Sequence, residues 1–271
     1  MTVALPFSSP ATVCLTFDNM GSAAAIGRGE ASGFGADDIG PAGYPEALAL
    51  LDKLGLKATF FIEGWNARYN SSAVLEVARR GHEIGIHGWV HEVFHTLAAE
   101  DVERILTDSL AAFRAINLEP RGFRAPGGLR GDHTISILKH LGLEFDSSID
   151  HGPGSSLDLA PLPQPHLIGD GVTNVPWQWR MIDYYQYYMR PRGPRTPESL
   201  ANFYKQKIDM AAQTGRTCTI ILHPFVSFKD SSRRRAIEEV LRHAIDDPRI
   251  EFRTVGEVAE YTRKRQPGLC G

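Results

Sequence analysis

Cysteine is scarce in this chain: three residues, an odd set, in 271. A disulfide framework is therefore excluded as the basis of the fold, and a chain of this length buries a large core without covalent staples. Cys14 and Cys218 fall in apolar, strand-like runs and Cys270 lies near the end; all three are expected as reduced thiols. Net charge is also lacking. Twenty-nine Lys and Arg against 32 Asp and Glu leave a formal −3, which points to no nucleic-acid partner and no membrane surface. No apolar run is long enough to span a bilayer. The opening MTVALPFSSP has no basic region followed by a long apolar stretch, so neither a secretory signal nor a membrane span is expected, and a cytoplasmic setting is. Internal repeats and clear linkers are missing too, which favours one domain over 1–271.

What is there is alternation. Short runs rich in β-branched and aromatic residues (ATVCLTF, ATFFI, HEIGIH, GFR, EFDSS, TNVPW, CTIILH, IEFRTV) read as strands. Amphipathic helical patterns lie between many of them, at 45–54, 72–80, 99–116, 133–141, 197–214, 231–245 and 255–264. Near-continuous apolar strands separated by helices predict a parallel sheet covered by helices, and this many units favour an α/β barrel over an open sheet. Three irregular stretches interrupt the pattern: 21–43, rich in Gly and Ala; 150–171, rich in Pro; and 189–197, with Arg and Pro interleaved. Loops this long are lids, binding loops or surface insertions.

Polar residues collect where the predicted strands end. The first run closes on Asp18 and Asn19, the third on His87 with His91 four residues on, the fourth on Arg124 before Ala-Pro-Gly-Gly, and CTIILH on His223. In parallel barrels such ends converge on one mouth. Two imidazoles four apart share a face if a helical turn follows Gly88, and that spacing suits a tetrahedral metal ion; two surface histidines would give the same letters. Arg124 is either a rim salt bridge or a fixed cation that keeps a carboxylate ionised. His223 is either structural or, beside a metal pair and an acid, a general acid. Together they make a metal-assisted hydrolytic site the leading expectation.

Taken in order, these stretches resemble the polysaccharide deacetylase family, the NodB-homology domain of carbohydrate esterase family 4. T-F-D-N at 16–19, H-x-x-x-H at 87–91, R-x-P at 124–126, the region of Trp179 and Asp183, and L-x-H ending in His223 are similar to its five motifs. GHEIGIHGWVHE, RGFRAPGG and LEFDSSID resemble a branch with peptidoglycan-deacetylase-like and allantoinase- or cyclic-imidase-like members. The resemblance covers nearly the whole chain. It implies a single catalytic domain with a distorted (β/α)7 barrel, and hydrolysis of an amide C–N bond with a divalent metal, usually zinc. By position, Asp18 would be the base, tuned by Arg124; His87, His91 and Asn19 would be ligands; His223 would protonate the leaving amine. Gly127 would offer its N–H to the oxyanion, with Trp179 and Asp183 at the substrate.

Asn19 departs from the family's usual Asp. Three arrangements stay open: Asn19 ligates through its amide oxygen, Asp18 takes over the metal, or the site holds metal weakly. The substrate expected is a sugar amide or other small amide; a cyclic amide is the alternative, and a ligand-binding pseudoenzyme a further one. Tyr184, Tyr185, Tyr187 and Tyr188 are read as core or subunit contact rather than a sugar platform, and a homo-oligomer is expected. Arg190, Arg192 and Arg195 are read as a solvated loop, with an acidic substrate as the alternative.

Overall fold

The computed structural model describes residues 10–18, 22–30, 43–158, 161–169 and 171–265. The apolar runs pair into one sheet. Its strands are β1 (Ala11–Asp18), β2 (Thr59–Ile62), β3 (Glu83–Ile86), β4 (Gly122–Phe123), β5 (Phe145–Asp146), β6 (His166–Ile168), β7 (Val172–Asn174), β8 (Thr217–Leu222) and β9 (Ile250–Phe252). The spatial order β7-β5-β4-β3-β2-β1-β8 is parallel throughout, and gives the seven strands of the expected barrel. Two strands add to it. β6 pairs antiparallel with β7 at the edge, and β9 pairs with the first half of β1, at Ala11–Val13. The two ends of the sheet meet without a ladder: Ile182 bridges Ile221, and Thr219 Oγ1 donates to Pro176 O at 3.1 Å. The α/β barrel expectation therefore holds, with its closing side made by irregular chain.

Helices surround the sheet: α1 (Ala23–Gly27), α2 (Tyr44–Leu54), α3 (Gly64–Tyr69), α4 (Ser71–Arg79), α5 (Ala99–Arg114), α6 (Thr134–His140), α7 (Pro197–Thr214), α8 (Pro224–Ser227), α9 (Ser231–Ile245) and α10 (Val255–Arg265). Local chemistry sets several ends. α7 starts with Pro197 after an N-cap in which Thr196 accepts from Ser199 N–H, and stops at Gly215 in the left-handed region. Asp230 caps α9 by accepting from the N–H groups of Ser232 and Arg233. The amphipathic periodicity that located these helices also buries them: α5 turns Val102, Ile105, Leu106, Leu110 and Phe113 inward. β1 is buried along almost its whole length, and Phe17 stacks on Phe60 of β2 at 4.6 Å. Cys14 and Cys218 are buried as free thiols in the adjacent strands β1 and β8. Among the described residues no helix is long and apolar enough to cross a membrane.

Candidate active site

The C-terminal ends of the parallel strands open into one cavity of about 500 Å³. Asp18 ends β1, His87 follows β3, Gly127 and Gly128 follow β4, and His223 follows β8; all five line the cavity with His91. The parallel topology does this without further instruction, because every crossover returns the chain to the same end of the barrel. Apolar and aromatic residues complete the walls, among them Trp177, Trp179, Ile182, Tyr184, Tyr185 and Phe225.

Arg124 organises the floor. It is wholly buried, and its guanidinium makes four hydrogen bonds: Nη1 to Asp18 Oδ1 (2.6 Å) and Thr16 Oγ1 (2.8 Å), Nε to Ser147 O (3.0 Å), and Nη2 to Ser147 Oγ (2.9 Å). It lies 4.1 Å over the Phe61 ring. That ring fits because position 85 is glycine: a Cβ there would meet Phe61 at 2.6 Å. Thr16 and Ser147 are free to accept because their own hydroxyls donate onward, to Ile220 O and Val175 O. Burial pulls the guanidinium below its ordinary value, with the Asp18 carboxylate opposing. Asp18, which lines the cavity, is thus fixed at Oδ1, while among the described residues its Oδ2 has no partner.

A second buried network holds the loop after β4. Asp146 accepts from Arg130 Nη1 (2.8 Å), Asn174 Nδ2 (2.8 Å) and Ser148 Oγ (2.5 Å), and Ser148 Oγ in turn accepts from Ala125 N–H (2.9 Å). This anchors 124–127 to β5 and β7. Gly127 reaches the cavity wall at φ +66.

The two histidines come together by a route the sequence reading missed. No helical turn follows Gly88. Gly88 (φ +73) and His91 (φ +72) both take left-handed backbone, and the Glu92 carboxylate accepts from the N–H groups of Trp89 (2.9 Å) and Val90 (3.1 Å). A tight, carboxylate-held loop thereby brings the two rings together without a helical turn. Glycine is favoured at position 88 by its φ, and a Cβ there would push on the Glu92 carboxylate at 2.6 Å that holds the loop. The signal for Glu92 was visible in HGWVHE, but its role depends on the fold of the loop.

The His87 and His91 rings lie 5.2 Å apart, edge to face. His87 Nδ1–H donates to Arg124 O at 2.9 Å, which leaves Nε2 with its lone pair. Burial pushes both imidazoles down to about 3, so both are neutral and able to ligate at ordinary pH. Among the described residues no three His, Cys, Asp or Glu side chains are grouped to hold a metal ion. The remaining expected ligand, Asn19, lies outside the described residues. The neutral state of both rings and the hydrogen bond that fixes His87 through Nδ1 fit imidazole ligands of a metal.

Asp183, expected at the substrate, stands behind His223 rather than in the cavity wall. It is wholly buried and does not line the cavity. Its Oδ1 accepts from His223 Nδ1 (2.7 Å), and its Oδ2 accepts from His223 N–H (2.8 Å) and Ser227 Oγ (2.6 Å). A buried carboxylate needs such donors, and it is they that place it behind His223. Burial pulls the His223 imidazole down, but the charge and hydrogen bond of Asp183, with Asp18 beyond, outweigh that, and its pKa stands above the ordinary 6.5. Trp179 does reach the cavity, pinned by its Nε1 to His151 O at 2.9 Å. Of the tyrosines, Tyr187 is buried, whereas Tyr184 and Tyr185 line the cavity. The reading of the whole run as core or subunit contact is corrected to that extent.

A fixed carboxylate, two neutral imidazoles and a third imidazole backed by an acid, at the mouth of an α/β barrel, define a hydrolase-type site. The family model described as polysaccharide deacetylase matches residues 8–145. The chain belongs to the polysaccharide deacetylase family, and is a hydrolase of carbon–nitrogen bonds other than peptide bonds. It is 26% identical over 257 residues to the peptidoglycan deacetylase-like protein FGM2 of Gibberella zeae, spanning 81% of this chain and 75% of that one. It is 22% identical over 253 residues to the peptidoglycan deacetylase of Helicobacter pylori, covering 84% and 86%. The crystal structure of Puue allantoinase has the same fold, with a TM-score of 0.79 at 15% identity over 97% of this chain and 93% of that one.

Proposed function

We propose that the cavity is the catalytic site of a divalent-metal-dependent deacetylase of an N-acetylated sugar or related amide. The observation that carries this reading is the Asp18 carboxylate, tethered through Oδ1 to a wholly buried Arg124 and without a partner at Oδ2 among the described residues, in the same cavity wall as His87, His91 and His223. His87 and His91, with Asn19, would hold the ion. When bound, a divalent ion supplies Lewis acidity to the scissile carbonyl and to the attacking water.

The chain's own groups do the rest. Asp18 Oδ2 takes a proton from the water as its oxygen attacks the amide carbon. Gly127 N–H faces the oxygen that gains charge. His223, oriented through Nδ1 by Asp183, gives a proton from Nε2 to the nitrogen as the C–N bond breaks, since an amide ion is a very poor leaving group. Acid and amine are the products. Trp177, Trp179, Tyr184 and Tyr185 offer apolar faces for the ring that carries the amide.

Three results are expected. Zinc analysis after loading and desalting should find about one equivalent in the wild type and a loss in His87→Ala; equal contents would remove the metal from this pair. Glu92→Ala should weaken metal binding about 10–100-fold in competition with a chromophoric chelator, with the fold intact, because the loop that sets His91 loses its clamp; unchanged affinity would show that the loop holds itself. The third concerns pH. His223 must be protonated to act, and its pKa is raised above 6.5. Activity should therefore persist above pH 6.5 and fall as pH rises through the raised value, and Asp183→Asn should move that alkaline limb to lower pH. A limb that stays in place would dissociate it from His223.

Ring opening of a cyclic amide is the second reading, supported by the likeness to Puue allantoinase over 97% of the chain. It uses the same bond and the same groups. A panel of N-acetyl sugars and cyclic amides with zinc, cobalt and no metal, scored separately for released acetate and for ring-opened acid, separates the two.

A further inference from the structure

The arginines of residues 189–197, unused by the catalytic reading, line a second cavity of about 390 Å³. Its walls carry Arg180, Arg190, Arg192 and Arg195, with Tyr185 and Phe203. Tyr185 lines the catalytic cavity as well, so the two adjoin at one ring. The connection is a π-helical turn, Tyr185–Met189, of a kind frequent at functional sites.

Gln186, buried in that turn, builds the pocket. Its Nε2 donates to Arg180 O (2.6 Å), its Oε1 accepts from Arg195 Nε (2.8 Å), and its carbonyl accepts from Arg195 N–H (3.0 Å). Arg195 Nη1 also donates to Ser199 Oγ (2.9 Å), and its guanidinium lies 4.4 Å over Phe203. Arg190 Nη1 donates to the carbonyl oxygens of Gly193 (2.9 Å) and Arg192 (3.4 Å). Every one of these acceptors is neutral. Among the described residues Arg190, Arg192 and Arg195 have no carboxylate at ion-pair distance, whereas Arg242, Arg249, Arg253 and Arg263 each do. Among the described residues Arg180 has one carboxylate partner, Asp158, at 3.8 Å from its Nε, and that buried Nε makes no hydrogen bond among them. Burial pulls the Arg195 guanidinium down, and Arg190 and Arg180 add to this as like charges. Gathering uncompensated cations on neutral supports opposes folding unless something anionic meets them. Guanidinium groups held in place with donors to spare match the geometry of an oxyanion.

We infer that this cavity binds a carboxylate or phosphate group, beside the catalytic cavity. The group belongs either to the amide substrate, reaching across Tyr185, or to a free anion. The substrate version rests on the deacetylase reading; anion binding does not.

Inorganic phosphate titrated calorimetrically into the full chain at fixed ionic strength is the first test. Saturable binding is expected, weakened about tenfold or more in Arg195→Gln and Arg190→Gln and unchanged in Arg235→Gln, which lies on α9. Arg195 also supports Gln186, so a thermal melt accompanies each variant, and Arg190→Gln keeps the test decisive if Arg195→Gln does not fold. Absence of saturable binding, or equal binding in all variants, overturns the inference. The second test compares kcat/KM for an N-acetylated amino sugar bearing a carboxylate with that for its neutral parent. An acidic-to-neutral ratio that falls about tenfold in Arg195→Gln, with phosphate competing only against the acidic compound, places the group on the substrate. Phosphate binding lost in the variants at an unchanged ratio supports the site and assigns it to a free anion. If no amide is turned over, the titration still decides the anion site, and the failure belongs to the deacetylase reading.

Discussion

Asp18→Asn is expected to lower turnover about 100-fold or more, because a positioned base is lost while the shape of the side chain is kept. The geometry makes this a clean test. Among the described residues Asp18 is engaged through Oδ1, by Arg124 Nη1 at 2.6 Å, and an asparagine oxygen accepts from the same donor. Because Arg124 then stays buried as a cation without its carboxylate, the cost in stability should lie near the low end of about 3–5 kcal/mol, less than for loss of Arg124 because the amide oxygen still accepts. What is lost is the charge of a carboxylate that lines the cavity. Rates on an N-acetylated sugar with metal supplied, beside an urea unfolding curve, measure both halves. More than about a tenth of the wild-type rate would take the role of base away from Asp18.

Arg124→Met should have the largest effect on stability, about 3–5 kcal/mol, and should remove activity as well. Methionine keeps the stem and its packing on Phe61 but offers none of the four hydrogen bonds. Asp18 then holds an uncompensated charge, and Thr16 Oγ1, Ser147 O and Ser147 Oγ each lose a donor. Lysine would not repair this, since one ammonium cannot reproduce a planar fork that spans β1 and the chain after β5. The double variant Asp18→Asn/Arg124→Met removes both charges together. It should recover part of the lost stability and none of the activity, because a neutral pair is cheaper to bury than a lone ion. Equal unfolding free energies for wild type and Arg124→Met would show that the pair adds nothing to the fold.

The chain's own pattern determined a good deal. The alternation of apolar strands with amphipathic helices specified a parallel barrel, and the predicted 197–214 and 231–245 helices recur as α7 and α9. Period and burial are local properties, so they are written in order along the chain. The strand-end positions of Asp18, His87, Arg124 and His223 were legible for the same reason, since parallel topology sends such ends to one mouth. The fold decided what lies between elements. It put Asp183 behind His223 instead of in the cavity wall, through residues 40 and 44 positions away along the chain. It bent 88–91 into a turn clamped by Glu92, left-handed at Gly88 and His91, where spacing alone would have needed a helical turn to pair the histidines. It joined β5 and β7 to the loop after β4 through Asp146 and Ser148. It also turned an apparently solvated arginine loop into the wall of a cavity. In each case the deciding quantity is the partner a buried polar group finds, and that partner is chosen by three-dimensional packing, which neither period nor spacing encodes.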